Sequence, residues 1–356
     1  MAFLSSRTVL TKGYFNNIID VRIILGGAAM EKIKWGVIGT GRIARAFTAA
    51  LAGTPDAELY AVGSRTAGKS ASFAEEYGFT KAYSSYDELF SDKNVDVVYI
   101  ATPMAAHYGN CITALKNGRN VLCEKTVTLN AEQLRILLAL AKKKELFFME
   151  AMWTKCRPAY LKMKEWISAG RIGDIRYIKA DFSNLVPYNA NDRLFRPDCG
   201  GGALLDVTVY PLTLAVDILG KPDEIISSAH INEDGIDLSD SFILRYKNGC
   251  FASVDGGFEL PLKNNAVISG TEGSVILGDG FFMTNTATLY DKNGNITEKF
   301  EQPERINGYE YEIDEVHRCL RNGLKESPLV PHSGTLDVLD VMDHARKEWG
   351  MRFPQE

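Results

Sequence analysis

The sequence predicts an α/β protein in which a doubly wound parallel sheet is followed by an α+β domain with a mainly antiparallel, open sheet. From residue 33 to about residue 150, short apolar runs that are typical of buried strands alternate with helical segments. Beyond residue 150, segments of alternating apolar and polar residues follow one another with turn residues between them. The chain has 356 residues, enough for two domains of ordinary size.

The first domain is expected to cover residues 30–150, starting at the second methionine of the chain, Met30. Its strands and helices follow in the order IKWGVIG, TGRIARAFTAALAG, AELYAVGS, SASFAEEYG, VDVVYIATP, AAHYGNCITALKNG, NVLCEK, NAEQLRILLALAKKKE and LFFMEAMW. In a parallel sheet built this way, ligands bind beyond the carboxyl ends of the strands. The functional residues of this domain are therefore expected in the turns that follow the strands.

The second domain is expected to cover residues 151–356. Its strands are predicted at IRYIKADFS, EIISSAHI, SFILRYKNG, CFASVDGGFEL, NAVISG, GSVILGD and ATLYDKNGNITEKF. Helical patterns return at YEYEIDEVHRCLRNG and GTLDVLDVMDHARKEWG, and the last helix is expected to pack back on the first domain. We assign substrate binding and dimerisation to this domain.

Residues 1–29 lack the regular alternation of the rest of the chain. Their apolar stretch, VRIILGGAA, follows Asp20 and is too short to cross a membrane, so it fits neither a signal peptide nor an anchor. We predict that this segment is a dispensable extension.

Composition excludes several classes of function. The formal net charge is -5, which gives no basic surface for nucleic acid or for an anionic membrane. The six cysteines show no C-x-x-C spacing and the five histidines no H-E-x-x-H pattern. We therefore predict no disulfide framework and no metal site, and a cytoplasmic location.

A glycine motif follows the first predicted strand. In GTGRIA, the residues Gly39, Gly41 and Ala44 have the spacing G-x-G-x-x-A, which provides a tight turn, a close approach to a pyrophosphate and a small residue where helix packs on strand. Because the motif follows a strand and opens a helix, it predicts a dinucleotide site of the Rossmann type. Arg42 and Ile43, in the first turn of that helix, are assigned to the same site.

The octapeptide GSRTAGKS at residues 63–70 matches G-x-x-x-x-G-K-[ST], so a phosphate-binding loop of a nucleotide triphosphatase is an alternative. However, it follows the second strand, where a dinucleotide fold places the adenosine ribose. The strand VDVVYIATP also ends without the acidic residue that would hold magnesium. The triphosphatase is therefore the least favoured function.

The same octapeptide predicts the choice of cofactor. Where an NAD site places an acidic residue, this chain has Ser64 and Arg65, and Lys69 follows one helical turn later. A hydroxyl, a guanidinium and an ammonium would bind a 2′-phosphate, whereas a carboxylate would repel it. We predict NADP, with NAD as an alternative; solvated residues at a helix start would look the same.

Later segments resemble a known family. VYIATPMAAHYGNCITALKNGRNVLCEKTVTLN, MEAMWTKCRPAY and GGALLDVTVYP are similar to the glucose-fructose oxidoreductase and inositol dehydrogenase family. Within it, EAMW, the Tyr of DVTVYP and VMDHARKEWGMRFP resemble the branch of dimeric dihydrodiol dehydrogenases and NADP-dependent D-xylose dehydrogenases. The likeness runs from about residue 32 to the C-terminus.

The resemblance implies roles for individual residues. It assigns Lys125 to the nicotinamide end of the cleft and Tyr210 to the proton-transfer position, with Asp206 as a substrate or positioning residue. The cofactor residues implied by motif or resemblance also include Thr102, Pro103, His107, Glu124 and Lys125, and the substrate residues are Trp153 and Arg157. The chain departs from the family pattern at Thr126, where proline is usual, and at Thr208, where glycine is usual.

Proton chemistry links the two central residues. A free tyrosine is a poor base at neutral pH, and a nearby ammonium lowers a phenol pKa because it stabilises the phenolate. We therefore expect Tyr210 to act as general acid/base and Lys125 to lower its pKa. Asp206, four residues before Tyr210, is expected on the same helix face.

The sequence thus predicts an NADP-dependent oxidoreductase that acts on a secondary alcohol or hemiacetal of a small polyol, such as an aldose or a cyclic trans-diol. A catalytically inactive dinucleotide-binding regulator is the main alternative; it would need the glycines but neither Lys125 nor Tyr210. A homodimer is expected through the open face of the C-terminal sheet, where Phe251, Val254 and Phe258 alternate with small residues.

Overall fold

The computed structural model describes residues 31–356, so the extension predicted at residues 1–29 lies outside the described residues. The first domain contains a parallel sheet of β1 (Ile33–Ile38), β2 (Ala57–Gly63), β3 (Lys81–Tyr83), β4 (Val97–Ile100), β5 (Asn120–Glu124) and β6 (Phe148–Ala151). The strand order is β3-β2-β1-β4-β5-β6, so the winding reverses between β1 and β4. This confirms the doubly wound parallel sheet.

The helices of the first domain are α1 (Arg42–Ala52), α2 (Lys69–Tyr77), α3 (Tyr86–Ser91), α4 (His107–Lys116) and α5 (Ala131–Lys143). Helix α5 has the expected local signals, because the Asn130 side chain caps its first turn by accepting from the Gln133 N–H at 2.9 Å. The sequence did not reveal β3 and α3. Strand β3 has three residues and α3 has six, too few for a clear period.

The second domain contains β7 (Ile175–Ser183), β8 (Glu224–Ile231), β9 (Asp237–Arg245), β10 (Phe251–Gly257), β11 (Ala266–Gly270), β12 (Gly273–Leu277), β13 (Thr286–Asp291) and β14 (Ile296–Glu301). They form one sheet in the order β14-β13-β12-β11-β7-β10-β9-β8. Among these described strands, β7 and β10 pair in parallel and the other neighbours are antiparallel. The mainly antiparallel sheet is confirmed.

The remaining helices are α6 (Pro158–Ser168), α7 (Val209–Leu219), α8 (Glu310–Arg321) and α9 (His332–Trp349). Helices α6 and α7 cover one face of the second sheet, whereas α8 packs against α1 of the first domain. The apolar segment Pro197–Leu219 is long enough to cross a membrane, but its most apolar window is 78% buried inside the protein. It therefore has the pattern of a core helix.

Helix α9 also lies against α5 of the first domain. The buried Arg346 donates to the Leu129 carbonyl oxygen at 2.9 Å and to Glu356 at 2.8 Å. The Ala131 N–H, at the start of α5, donates to Asp343 at 2.9 Å. These contacts join the end of the chain to the dinucleotide-binding domain.

The open face of the second sheet differs from the sequence expectation. Phe251 is exposed there, but Val254 and Phe258 are buried. Side chains three apart along a strand point to opposite faces, so Val254 faces the helices. Phe258 lies beyond β10 and packs against the Phe195 ring at 5.8 Å. The expectation that these three share the open face was wrong for Val254 and Phe258.

Candidate active site

The glycine turn after β1 leaves space for a dinucleotide. Gly39 has a φ of +97°, and a Cβ there would lie 2.5 Å from the Ala101 carbonyl oxygen, so only glycine fits. A Cβ at Gly41 would meet no described atom within 4 Å. Gly41 precedes α1, whose first turn contains no acidic residue and begins with the exposed Arg42 and the half-buried Ile43. These features fit a pyrophosphate at the helix N-terminus.

The octapeptide of residues 63–70 lies beside this glycine turn, because the Gly39 N–H donates to the Gly63 carbonyl oxygen at 3.1 Å. Ser64 is buried, and its hydroxyl accepts from the Thr66 N–H at 3.3 Å. Arg65 and Lys69 are exposed, and the Arg65 guanidinium lies 5.5 Å from the ring centre of Tyr86. Two cations thus stand where the ribose of a dinucleotide would lie.

The loop after β4 carries three of the assigned residues. Thr102 is buried and Pro103 is exposed. His107 is buried, with Nδ1 2.9 Å from the Thr126 carbonyl oxygen and Nε2 2.8 Å from that of Thr102. Burial lowers the pKa of His107 to about 4 despite these two carbonyl oxygens. The neutral ring lies between carbonyl oxygens of the loops after β4 and β5 and donates a hydrogen bond to one of them.

Lys125 follows β5 and points toward the second domain. Its Nζ donates to the Asp206 carbonyl oxygen at 2.6 Å and lies 3.3 Å from Asp206 Oδ1. The same Nζ is 5.1 Å from the ring centre of Tyr210. The Lys125–Thr126 peptide bond is cis. The structure therefore brings together the three residues assigned to catalysis.

Asp206 lies in a wide, π-helical turn, Leu204–Thr208, that precedes α7, so its spacing to Tyr210 is not that of a regular α-helix. Its Oδ1 also accepts from Arg193 Nη1 at 3.2 Å. Burial opposes ionisation of Asp206, but the charges of Lys125 and Arg193 outweigh it and lower the pKa of the carboxyl. The carboxylate thus balances two cations.

Tyr210 is buried at the start of α7. Burial raises the pKa of its phenol well above the usual value, and the charge of Glu124 adds to this effect. This differs from the expected lowering by Lys125, because burial of the phenol outweighs the effect of an ammonium whose Nζ lies 5.1 Å from the ring centre. In this structure Tyr210 therefore holds its proton firmly.

Aromatic rings surround the Tyr210 side chain. The rings of Phe182 and Phe282 stack with centres 3.8 Å apart, and each lies 5.5 Å from Tyr210. Trp153 is nearly buried and stacks on Tyr309 with a centre distance of 4.7 Å. These rings form an apolar wall next to the polar Lys125–Asp206 pair.

Arg157, the second predicted substrate residue, is held by contacts with neighbouring segments of the chain. It is buried, and its guanidinium donates to the Thr284 carbonyl oxygen at 3.3 Å and to Asn285 Oδ1 at 2.7 Å. A Cβ at Gly308 would lie 1.7 Å from its Nη1. Because the guanidinium is enclosed by these neighbours, the geometry favours a structural contact over the assigned position in the cleft wall.

Glu124 is a half-buried acid at the end of β5. Its Oε1 accepts a short hydrogen bond from the Tyr99 hydroxyl, and burial raises its pKa. Glu312, on α8, is fully buried, and neither of its carboxyl oxygens has a hydrogen-bond partner among the residues that the structure describes. Burial and the nearby Glu124 raise the pKa of Glu312 well above its usual value. Within residues 31–356, no group of His, Cys, Asp or Glu is arranged to hold a metal ion.

Comparisons with known proteins identify the family. Residues 33–152 match the oxidoreductase family with an NAD-binding Rossmann fold, and residues 160–276 match the GFO/IDH/MocA C-terminal domain. The chain belongs to the GFO/IDH/MocA family. As a GFO/IDH/MocA protein it is an NAD(P)-binding oxidoreductase, which confirms the predicted family, fold and enzyme class. The octapeptide of residues 63–70 is thus part of an oxidoreductase fold.

Two curated relatives are trans-1,2-dihydrobenzene-1,2-diol dehydrogenases. The Xenopus laevis protein is 34% identical over 333 residues, and the match covers 90% of this chain and 99% of the relative. The Homo sapiens protein is 32% identical over 338 residues, covering 91% and 99%. This GFO/IDH/MocA chain therefore matches the relatives along nearly their whole length.

Solved structures share the fold. A 3-ketoreductase from Actinomadura kijaniata in complex with NADP and TDP-benzene has a TM-score of 0.79 and 26% identity, covering 89% of this chain and 98% of that one. An aldose-aldose oxidoreductase from Caulobacter crescentus complexed with glycerol has a TM-score of 0.81 and 21% identity, covering 89% and 97%. The second likeness concerns the fold alone.

Sequence reasoning missed several residues of the site in this GFO/IDH/MocA protein. Arg193 lies in a short turn between β7 and α7 that carries no sequence motif. Glu312 lies on α8, far along the chain from the residues assigned to the site. The sequence did not predict the aromatic wall either, since Phe182 and Phe282 come from separate segments of the chain. Only the folded structure brings Arg193 to Asp206 and the two phenylalanine rings to Tyr210.

The raised pKa of Glu312 predicts a pH-dependent stability. Because the native state holds this proton at a pH where the unfolded chain has lost it, stability falls as pH rises above the unfolded pKa. Glu312→Gln removes the titration, so the stability lost between pH 5 and pH 8 should be smaller in this variant than in the wild type. Urea unfolding at both pH values measures this difference.

Glu75→Gln provides the control, because Glu75 is an exposed glutamate of α2. This variant should keep the pH dependence of the wild type. Equal pH dependence for Glu312→Gln and the wild type would mean that Glu312 is ionised in the native protein at neutral pH.

Proposed function

We propose that this protein is an NADP-dependent oxidoreductase that transfers a hydride between the nicotinamide and a secondary alcohol or hemiacetal carbon of a small polyol. The convergence of Lys125, Asp206 and Tyr210 beyond the carboxyl end of β5 supports this proposal. The substrate class is a cyclic trans-dihydrodiol or an aldose such as D-xylose. Relatives named trans-1,2-dihydrobenzene-1,2-diol dehydrogenase favour the diol.

The cofactor would be held by two neighbouring turns. Gly39, Gly41 and the N-terminus of α1 suit a pyrophosphate, and Ser64, Arg65 and Lys69 suit a 2′-phosphate. When bound, the nicotinamide supplies the hydride acceptor or donor. The similar 3-ketoreductase in complex with NADP supports the phosphorylated cofactor.

Tyr210 moves the substrate proton in this proposal. Its raised pKa keeps the phenol protonated, which is the form that would donate to the carbonyl oxygen during reduction. In the oxidation direction the phenol must first ionise, so the oxidation rate should rise with pH up to this pKa. The proton then passes from the alcohol to the phenolate.

Lys125 provides a positive charge next to that proton transfer. Two contacts with Asp206 fix its ammonium, which leaves a remaining N–H donor for the substrate oxygen. A donor held in place by the protein stabilises negative charge that develops on oxygen without a reorganisation cost. Asp206 thus acts as the residue that orients Lys125.

The aromatic wall supports a cyclic substrate. Phe182, Phe282 and Trp153 offer apolar ring surface near Tyr210, while Lys125 and Asp206 offer polar atoms near it. A cyclic diol has the same division between an apolar ring and adjacent hydroxyls. An open-chain polyol would leave the aromatic wall without an apolar partner.

We expect wild-type enzyme to oxidise members of a panel of trans-dihydrodiols, aldoses and inositols with NADP, and Tyr210→Phe to lose most of this turnover. The substitution removes only the hydroxyl, so kcat should fall by about 10² to 10⁴-fold while NADPH affinity persists. Steady-state kinetics and NADPH fluorescence measure these two quantities. A pH profile of kcat/KM locates the ionisation that controls the reaction.

Lys125→Met tests the role of the ammonium beside Tyr210. It should also depress kcat, and the double variant should lose less than the sum of the two single losses if both residues act as one unit. Near-normal turnover in Tyr210→Phe would rule out Tyr210 as the proton carrier.

Arg65→Asp should move cofactor preference toward NAD. The change removes a charge-assisted hydrogen bond to the 2′-phosphate and adds repulsion, so NADP binding should weaken by roughly 2 to 4 kcal/mol with much less effect on NAD. Titration calorimetry with both cofactors measures the ratio. Lys93→Asp is the control, because it makes the same charge change on an exposed residue before β4, and it should leave the ratio of NADP to NAD affinity unaltered. An unaltered ratio in Arg65→Asp would mean that the 2′-phosphate is bound elsewhere.

We also propose a homodimer through the open face of the second sheet. Phe251 and Ile226 are exposed on that face, and the Phe251 ring packs beside Tyr177 at 4.7 Å. Light scattering should give twice the chain mass of 39.4 kDa. Phe251→Glu should lower this mass toward that of one chain, whereas Ile136→Glu, at an exposed apolar residue of α5, should not. A wild-type mass of one chain at micromolar concentration contradicts the dimer.

A further inference from the structure

Two buried threonines hold the wide turn that carries Asp206. We propose that Thr126 and Thr208 are positioning residues whose hydroxyls clamp the turn of residues 204–208 and thereby keep Asp206 in contact with Lys125. Both stand where the family resemblance leads one to expect a different residue, proline and glycine respectively. The inference builds on the proposed function for its kinetic readout, but the clamp itself is a feature of the fold.

Thr126 holds the turn from the first domain. Its hydroxyl donates to the Leu205 carbonyl oxygen at 2.8 Å, while the adjacent Lys125 Nζ donates to the Asp206 carbonyl oxygen at 2.6 Å. Two consecutive residues of one loop therefore bond two consecutive carbonyls of the turn. A proline at position 126 would have no hydroxyl to make the first of these bonds.

The width of the turn makes such outside bonds important. The Val209 N–H reaches back five residues to the Leu204 carbonyl oxygen, instead of the four of an α-helix. The turn therefore lacks the regular ladder that fixes an α-helix. Hydrogen bonds from neighbouring elements take over part of that role.

Thr208 holds the turn from the second domain. Its hydroxyl donates to Asp240 Oδ2 on β9 at 2.9 Å, and Asp237 Oδ2 on the same strand accepts from the Leu204 N–H at 2.6 Å. Two carboxyl groups of one strand thus hold the first and the last residue of the turn. Gly256 makes room for the hydroxyl, because a Cβ there would lie 1.8 Å from Thr208 Oγ1.

The two carboxyl groups depend on Thr208 in return. Asp237 and Asp240 are both buried and lie within hydrogen-bonding reach of each other, and burial raises the pKa of Asp237 to about 7. Each has an Oδ1 with no donor from elsewhere in the described chain, which fits one proton shared between them. The Thr208 hydroxyl supplies the donor that Asp240 Oδ2 needs, and its loss would leave a buried acceptor unpaired.

Threonine-to-valine variants test the clamp because they keep the side-chain shape and remove the hydroxyl. In Thr126→Val and Thr208→Val, kcat should fall between about 10- and 100-fold while KM for NADP stays within about twofold, since a small misplacement near the reacting atoms has this effect. Thr126→Ser and Thr208→Ser should restore most of kcat. Hydrogen exchange in peptides that cover residues 204–210 should be faster in both valine variants.

Thr54→Val is the matched control, because Thr54 is buried and its hydroxyl donates to the Ala50 carbonyl oxygen at 3.0 Å, at the end of α1. It should lower stability without changing kcat or the exchange of residues 204–210. If Thr208→Val does not fold, Thr208→Ala replaces it, since it removes the hydroxyl without steric demand.

The clamp would be overturned if both valine variants resemble Thr54→Val in kcat and in the hydrogen exchange of residues 204–210. The same conclusion follows if the serine variants fail to recover kcat. An inactive wild-type protein on the whole panel would contradict the proposed function alone, and hydrogen exchange would then decide the clamp by itself.

Discussion

The contact between Lys125 and Asp206 is the interaction on which the candidate active site depends. Lys125 extends from the parallel sheet, and Asp206 lies in a turn packed on the second sheet, so the pair exists only when the two domains are docked. Both side chains are largely removed from solvent, at 13% and 16% exposure. Removing one partner of such a pair leaves an uncompensated charge, which is far more costly than losing a surface ion pair.

Other features of the site serve to hold the two ends of this contact. His107 lies between two carbonyl oxygens on the Lys125 side and donates to one of them, and Arg193 balances the carboxylate on the Asp206 side. On β9, Asp237 accepts from the Leu204 N–H of the turn and Asp240 accepts from the Thr208 hydroxyl. The geometry of the candidate active site is therefore a property of the domain interface more than of either domain.

The sequence predicted the fold well because its signals were local. Strand runs, closing glycines and the spacing of Gly39 and Gly41 depend on residues close together in the chain, and the positive φ of Gly39 matches the tight turn that was expected. Short elements such as β3 were not predicted, since three residues cannot define a period. The position of Val254 was misjudged because the alternation was counted without fixing which face each residue occupied.

The electrostatics of the site could not be predicted in the same way. The sequence placed a lysine and a tyrosine together, but the sign of the pKa shift depends on burial and on which atoms face each other. Arg157 illustrates the same limit, since a cation expected in the cleft is enclosed by backbone and amide oxygens. Such outcomes are decided by contacts between distant segments.

The close approach of Gly256 to Thr208 restricts how this sequence can change over evolution. Any side chain at position 256 would collide with the Thr208 hydroxyl, so a hydroxyl at 208 is compatible only with a chain that already has glycine at 256. Asp240 in turn needs the donor that this hydroxyl provides. The effects of substitutions at positions 208, 240 and 256 therefore depend on one another. To transfer this turn into a related enzyme, all three residues would have to be introduced, with glycine at position 256 before threonine at position 208.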